Sequence, residues 1–174
     1  VVARGGPAQG YALILQGGNP AFVIRSASKV YSVSVKQKVV GKWFHLAGIL
    51  TPEKKIELYV DGKLAGTADG EFVASDPAQA MEIGADDGGS VGNYKSPFSL
   101  TGIIDEVRVY FGPVSGADIE KHFSNSSEMA AGEAKLVLHC SFDKRKAQDS
   151  SGNNHHGEIK GTKSIKGKVG RAMK

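Results

Sequence analysis

The residues able to do chemistry in this chain are mainly acids and tyrosines. The stretch GIIDEVRVYF, Gly102 to Phe111, alternates like a β-strand, and Asp105 breaks the alternation. Successive strand side chains point to opposite faces. One face then carries Ile104, Glu106, Arg108 and Tyr110, and the other Ile103, Asp105, Val107, Val109 and Phe111. The second set is a core face with a carboxylate in it, and an unpaired buried charge costs several kcal/mol. A second acidic stretch, ADDGGS, sets Asp86 and Asp87 in a turn that can hold calcium or accept from sugar hydroxyls, although an acid-rich turn requires neither. Sugar stacking needs an exposed aromatic. Trp43 falls in the apolar run GKWFHLAGIL, a predicted central strand, and is expected in the core, which leaves Tyr11, Tyr31 and Tyr94. The ligand-binding candidates are therefore Asp86, Asp87, Tyr31 and Tyr94.

Other reactive side chains have structural explanations. Cys140 is in phase with Leu136, Leu138 and Phe142, with no histidine or acid spaced to activate it, and is expected to be a small buried hydrophobe. His155 and His156 are adjacent and point apart in extended chain, the wrong spacing for a zinc pair. His45 is expected as a hydrogen-bonded core residue, and Asp61 as the positive-φ residue of an Asp-Gly turn. No nucleophile elbow, P-loop or metal-ligand cluster occurs.

The elements that must position these residues are short strands. Glycine supplies 23 of 174 residues, roughly twice the usual share of about 7%. YALIL, AFVIR and VYSVSV alternate between turn-forming QGGNP and SASK, and KIELYVDGKLAG reads as a hairpin closed by Asp61-Gly62. One short helix is predicted in SGADIEKHF, with Ser115 as N-cap, Asp118 three residues on, and Ile119 and Phe123 on one face. SNSSEMAAGE, residues 124–133, is a linker by composition and contains a formal glycosylation sequon at Asn125. KLVLHCSFD then resumes strand alternation, and DSSGNNHHGE is a loop. The fold class is all-β, a two-sheet antiparallel jelly-roll sandwich with one short C-terminal helix.

The net charge is +4, with a basic run in KGTKSIKGKVGRAMK that has no interleaved aromatics. That pattern predicts a solvated loop and strand edge and no nucleic-acid partner. No apolar run approaches the length of a membrane span. The chain opens without Met or a signal-peptide pattern and is expected to be part of something longer.

Several of these stretches resemble laminin-G-like domains of the concanavalin A-like lectin/glucanase superfamily. GKWFHLAGIL with KIELYVDGKLAG is similar to that family's hairpin, MEIGADDGG to its strand and loop, and SLTGIIDEVRVYFGPVSGADI to its closing signature, helix included. LVLHCSFD, DSSGNNHHGEI and GKVGRAMK resemble its opening. An end motif is thus followed by a beginning motif. Residues 1–123 are expected to form one module whose N-terminal strands are missing. Two readings stay open for 134–174: the start of a second module, or a segment completing the first.

The resemblance implies a structural calcium with Asp105 as a ligand, joined by Asp143 and by carbonyls of the SGNNHHG loop. Calcium takes six to eight oxygens at about 2.3–2.6 Å. Otherwise Asp105 is an anchor for loop amides. It implies a binding module of a secreted or cell-surface protein, with carbohydrate or an extracellular protein as ligand and other domains of the same parent chain as neighbours. The alternative is a spacer without a saccharide site. Glucanases of the superfamily carry an E-x-D-x-x-E triplet that is absent here, so the chain is expected to be non-catalytic, with any enzyme activity residing elsewhere in the parent.

Overall fold

A computed structural model describes residues 2–96, 98–124 and 134–174; the proposed sequon and most of the linker lie outside the described residues. By contact density the chain forms two compact units, one from residues 1–100 and 114–132, the other from 101–113 and 133–174.

The first unit has two antiparallel sheets. Strands β1 (Val2–Gly5), β2 (Gly10–Gln16), β3 (Asn19–Ser26), β4 (Lys29–Ser34) and β8 (Met81–Ile83) form one, in the order β4-β3-β2-β1-β8. Strands β5 (Leu46–Leu50), β6 (Lys55–Val60) and β7 (Lys63–Asp69) form the other, in chain order. β3 is buried on both faces because apolar layers cover each. On one face Ala12, Ile14, Ala21, Val23 and Val91 pack together. On the other, Phe22, Ile24 and Val33 meet Ile56 and Leu58 of β6. Gly48 in β5 has no room for a side chain, because a Cβ there would overlap the Phe22 ring.

Two-residue turns set the hairpin registers as their residues require. Gly17-Gly18 and Asp61-Gly62 both take positive φ, matching the right-handed twist of the strands they join. Asp61 also ties the hairpin down: its carboxylate accepts the His45 amide at 2.9 Å, and its own amide donates to His45 O. Helix α1 (Gly116–Phe123) begins as predicted at Ser115, whose hydroxyl accepts the Asp118 amide at 3.1 Å. Ile119 packs with Ile49 and Tyr59, while Phe123 stays 45% exposed.

Two expectations are corrected here. GKWFHLAGIL does not supply a central strand: β5 begins only at Leu46, lies at the edge of its sheet, and β6 is central. Trp43 therefore lies outside the strand and is 37% exposed, not a core residue. His45, also outside the strand, is half-buried, its ring 6.3 Å from that of Phe123.

The second unit pairs β9 (Val107–Phe111) with β10 (Lys135–Cys140), antiparallel, and β11 (Ser164–Lys166) with β12 (Arg171–Met173) as a separate hairpin. Val107–Phe111 of the closing signature and Lys135–Cys140 of the opening-like segment thus share one sheet. The predicted strand over Gly102–Phe111 is shorter than its alternation indicates. Glu106 sits at φ 52, a left-handed conformation that ends extended pairing. Before it, Ile104 makes only an isolated bridge to Met173. The expected core face also fails at both ends, with Ile103 39% and Phe111 78% exposed. Val107, Leu138, Cys140, Phe142, Ala172 and Met173 are the buried apolar residues of this unit.

Candidate functional site

In the first unit, the chain from Gly84 to Tyr94 is an irregular loop following β8, held by the side chains of Asp86, Tyr94 and Arg25. Asp86 is 4% exposed, and its carboxylate accepts a short hydrogen bond from the Tyr94 hydroxyl. That hydroxyl in turn accepts the Val91 amide at 3.1 Å. Burial, with the adjacent Asp86 carboxylate, pushes the Tyr94 phenol well above its ordinary range, so it stays a donor. Arg25, from β3, donates to the carbonyls of Val91 and Gly92 and to the Asn93 side chain. Asp87 is turned outward, and its amide donates to Glu82 at 2.8 Å.

This geometry separates the four sequence candidates. Asp86 and Tyr94 are brought together, but as an internal brace. Tyr94 packs against the Ala12–Val23 layer. Tyr31 packs against the Phe22–Ile24 layer on the opposite face of the same sheet, with the Lys29 ammonium 4.9 Å from its ring centre. The two tyrosines do not share a site. Asp87 alone presents its carboxylate at the surface of a braced loop.

In the second unit, Asp105 and Asp143 are brought to one place, the turn between β11 and β12. Asp105 Oδ2 accepts the Val169 amide at 3.0 Å, and Asp143 Oδ1 accepts the Arg171 amide at 2.9 Å. Gly167 and Gly170 are tight by the same contacts: a Cβ on the first would lie 2.5 Å from Asp105 Oδ2, and one on the second would overlap the Asp143 carboxylate. Asp105 Oδ1 is buried and has no hydrogen-bond partner among the described residues. Burial raises the Asp105 pKa, the nearby Glu106 charge adds to the rise, and loop amides oppose it only in part.

These features test the implied calcium. An unsatisfied buried carboxylate oxygen beside a second carboxylate and a glycine-lined turn suits a hard cation. Among the described residues no three or more acidic, histidine or cysteine side chains are grouped so that they could hold a metal ion, so carbonyl oxygens and water would complete the shell. The SGNNHHG loop is organised differently from the expectation. Its contacts run to β10: Ser151 Oγ donates to Val137 O at 2.9 Å, and Asn153 Nδ2 to Leu136 O and Val137 O at 3.0 Å each.

The organiser of that loop is Asp149, which the sequence reading passed over. It is 4% exposed and accepts the amides of His139, Ser151 and His155 at 2.8–3.0 Å, plus the Ser151 hydroxyl at 2.8 Å. Burial pushes its pKa up, but these donors together outweigh burial and hold it far below the usual carboxylate range. The available signal was Asp-Ser-Ser-Gly-Asn, an Asx-turn sequence. His156 Nδ1 accepts the Asp149 amide at 3.1 Å, so the adjacent histidines serve this loop. A second group escaped prediction: Glu106 meets His139 Nε2 at 3.0 Å and pairs with Arg108, and His139 Nδ1 lies 3.1 Å from Ser150 Oγ. The ring is fixed at both nitrogens, and the Ser150 hydroxyl also reaches His139 O at 3.1 Å. The group braces β9 to β10. Cys140 is 2% exposed with its thiol pKa raised by burial, as expected of a core residue.

A shallow groove of about 370 Å³ opens in the first unit between the β6–β7 turn and the end of α1, lined by Asp61, Lys63, Leu64 and Phe123 among others. Among the described residues no helix is long and apolar enough to cross a membrane.

The family model described as the concanavalin A-like lectin/glucanases superfamily matches residues 1–120. No curated protein and no solved structure shows significant similarity to the chain.

Proposed function

Because the chain belongs to the concanavalin A-like lectin/glucanase superfamily, whose laminin-G-like members are generally non-catalytic binding modules, we propose that it is a carbohydrate-binding module of a secreted or cell-surface protein. The observation that carries this reading is the braced loop of the first unit. Asp86–Tyr94 and the Arg25 clamp fix its backbone from inside, and the Asp87 carboxylate faces solvent with Glu82 beside it. Pre-organisation of this kind spares a binding loop the ordering cost of meeting its ligand. Sugar hydroxyls are the chemistry such an outward carboxylate accepts from.

Calcium belongs to the second unit in this proposal, held by Asp105 and Asp143. The ion would neutralise two carboxylates and lock the turn between β11 and β12. The β9–β10 pairing supports reading 134–174 as strands that complete the module, in preference to the start of a separate one.

A glycan array probed with the whole chain, with calcium and with chelator, tests both parts. Binding to a defined set of neutral glycans, lost in Asp87→Ala, is the expected result. Uniform silence in the presence of calcium removes the carbohydrate reading and leaves a spacer or protein-binding module. A melting temperature that calcium does not raise in the wild type, or raises equally in Asp105→Asn, removes the ion.

A further inference from the structure

Three Asp-Gly pairs occur in the chain, Asp61-Gly62, Asp69-Gly70 and Asp87-Gly88, and all lie in the first unit. At such a pair the glycine amide nitrogen can reach the aspartate Cγ and close a five-membered ring, because glycine has no Cβ to shield its amide or restrict its backbone. The structure gives the three pairs different freedom to do so. Two are tied. The Asp61 carboxylate accepts the His45 amide at 2.9 Å, and Gly62 is buried, with Phe123 only 3.2 Å from where its Cβ would stand. Asp69 is ion-paired with Lys55, and the Gly70 amide already donates to Lys54 O at 2.7 Å.

The third pair is open at both reacting atoms. Asp87 and Gly88 are exposed, on the stretch of loop between the braces at Asp86 and Val91. Among the described residues the Asp87 carboxylate has no hydrogen-bond or ion-pair partner, and the Gly88 amide donates to no group. The one contact Asp87 makes, from its own amide to Glu82, uses an atom that ring closure leaves alone. Gly88 is covered only by the amide end of the Gln79 side chain, which a Cβ there would overlap. Ring closure at this pair therefore breaks nothing that holds the loop.

We infer that Asp87 is a site of isoaspartate formation, a slow covalent change in the loop that offers its carboxylate to a ligand. Gly88 N attacks Cγ of the protonated Asp87 carboxyl. The C–N bond forms, a C–O bond breaks, and that oxygen leaves as water with the amide and carboxyl protons. Water then adds to the main-chain carbonyl of the resulting succinimide and breaks its bond to Gly88 N. The chain now runs through Cβ and Cγ, one backbone atom longer, and the freed carboxylate sits on Cα. Mass and charge are those of aspartate, and water is the only co-reactant. The carboxylate is drawn in toward the backbone, so it no longer reaches a sugar hydroxyl as the Asp87 side chain does. That consequence rests on the carbohydrate-binding reading; the isomerisation itself does not.

The test ages the whole chain for weeks in warm neutral buffer and maps its peptides by a fragmentation that distinguishes isoaspartate from aspartate. Conversion at Asp87 should exceed that at Asp61 and Asp69 by about tenfold or more, because those two react only from locally opened states. Gly88→Ala should slow it by about tenfold, through the shielding and restriction its Cβ imposes. Asp87→Glu, which would have to close a six-membered ring, should stop it. A melting curve unchanged before ageing shows that each variant keeps the fold. Equal conversion at all three pairs, none at Asp87, or a Gly88→Ala rate equal to the wild type overturns the inference. Neutral-glycan binding on the array should fall in step with the converted fraction. Conversion at Asp87 with binding undiminished upholds the chemistry and removes Asp87 as the sugar contact. No conversion, with binding lost in Asp87→Ala, overturns the inference and keeps that contact.

Discussion

In the first unit, apolar layers do most of the holding. Two clusters on opposite faces of β3 include Ile14, Phe22, Ile24, Ile56 and Leu58, and its strands run to eight residues. In the second, the strands are six residues at most, and carboxylates reach across the chain to fix loops that no sheet orders. Asp149 gathers amides from His139 to His155; Asp105 and Asp143 each hold an amide of the β11–β12 turn. A hydrophobic layer is non-directional and fails by loss of fit. A charged acceptor is directional and fails by loss of its charge. The two units should therefore break under different insults.

The sharpest way to break the first is to overfill it. Gly48→Ala sets a methyl into the Phe22 ring, with backbone on one side and the opposite sheet on the other. We expect a loss of about 3 kcal/mol, the upper end for overpacking, read as a drop in denaturation midpoint. Phe22→Leu in the same chain should recover part of it. If Gly48→Ala melts like the wild type, the sheets are not packed as closely as this comparison requires.

Asp149→Ala is the counterpart in the second unit. It leaves the amides of His139, Ser151 and His155 without their acceptor, while the Ser151 hydroxyl keeps Val137 O, and hydrogen bonds to a charged group are worth about 2 kcal/mol each before relaxation and water recover most of the sum. A net loss of about 2 kcal/mol is expected. Hydrogen exchange locates it: the amides of His139, Ser151 and His155 should lose protection while those of β2 and β3 keep theirs. Uniform loss of protection would show that the two units do not differ in what holds them.

Acid should find the same division. The Asp149 pKa is held far below its ordinary value of 3.8, and that of Glu106 below 4.5, chiefly by His139 with Arg108 adding to it. Each stabilises the fold fully above its ordinary value and loses that contribution as pH falls through its depressed one. Asp105 has the opposite sign: its raised pKa favours the folded state at low pH, and that advantage fades as pH rises above 3.8. Asp149 and Glu106 together outweigh it, so the second unit should loosen as pH falls below about 4. The first unit's lowered acids, Asp69 and Glu71, are in exposed pairs with Lys55 and Lys54 that contribute little. An acid transition seen equally by amides of both units would refute this assignment.

What was legible in the sequence follows the same line. Hairpins closed by Gly17-Gly18 and Asp61-Gly62, the Ser115 cap and the β-sandwich class all rest on local chemistry, and local chemistry is written in neighbouring residues. Trp43 was misplaced because whether a strand is central or at an edge depends on pairing, which alternation does not encode. The strand through Asp105 was overdrawn because Glu106 takes a positive φ with no glycine to announce it. Asp105 and Asp143 were placed together by resemblance to a family; from spacing alone, 38 residues apart, nothing joined them. Asp149 sat in a recognisable turn sequence, but its reach back to His139 is a tertiary fact.

The smallest effect concerns a turn that the sequence would not have chosen. Ala27-Ser28 joins β3 to β4 with both residues at positive φ, 45 and 68 degrees, a geometry that asparagine and glycine adopt at far lower cost. The turn is imposed on these residues by the apolar register of β3 with β4, and is held by Ser28 N→Ala8 O at 2.9 Å and Arg25 Nη1→Ser28 O at 3.2 Å. Both contacts use backbone atoms of Ser28, so Ala27→Asn/Ser28→Gly keeps them and relieves the strain. A gain of about 1 kcal/mol is expected, set against the extra freedom glycine gives the unfolded chain. The gain should register in the exchange of β3 and β4 amides and leave those of β9 and β10 unmoved. A double variant that melts lower would mean that Ala27 and Ser28 are held there by side-chain contacts, and the first unit would then depend on more than its apolar layers.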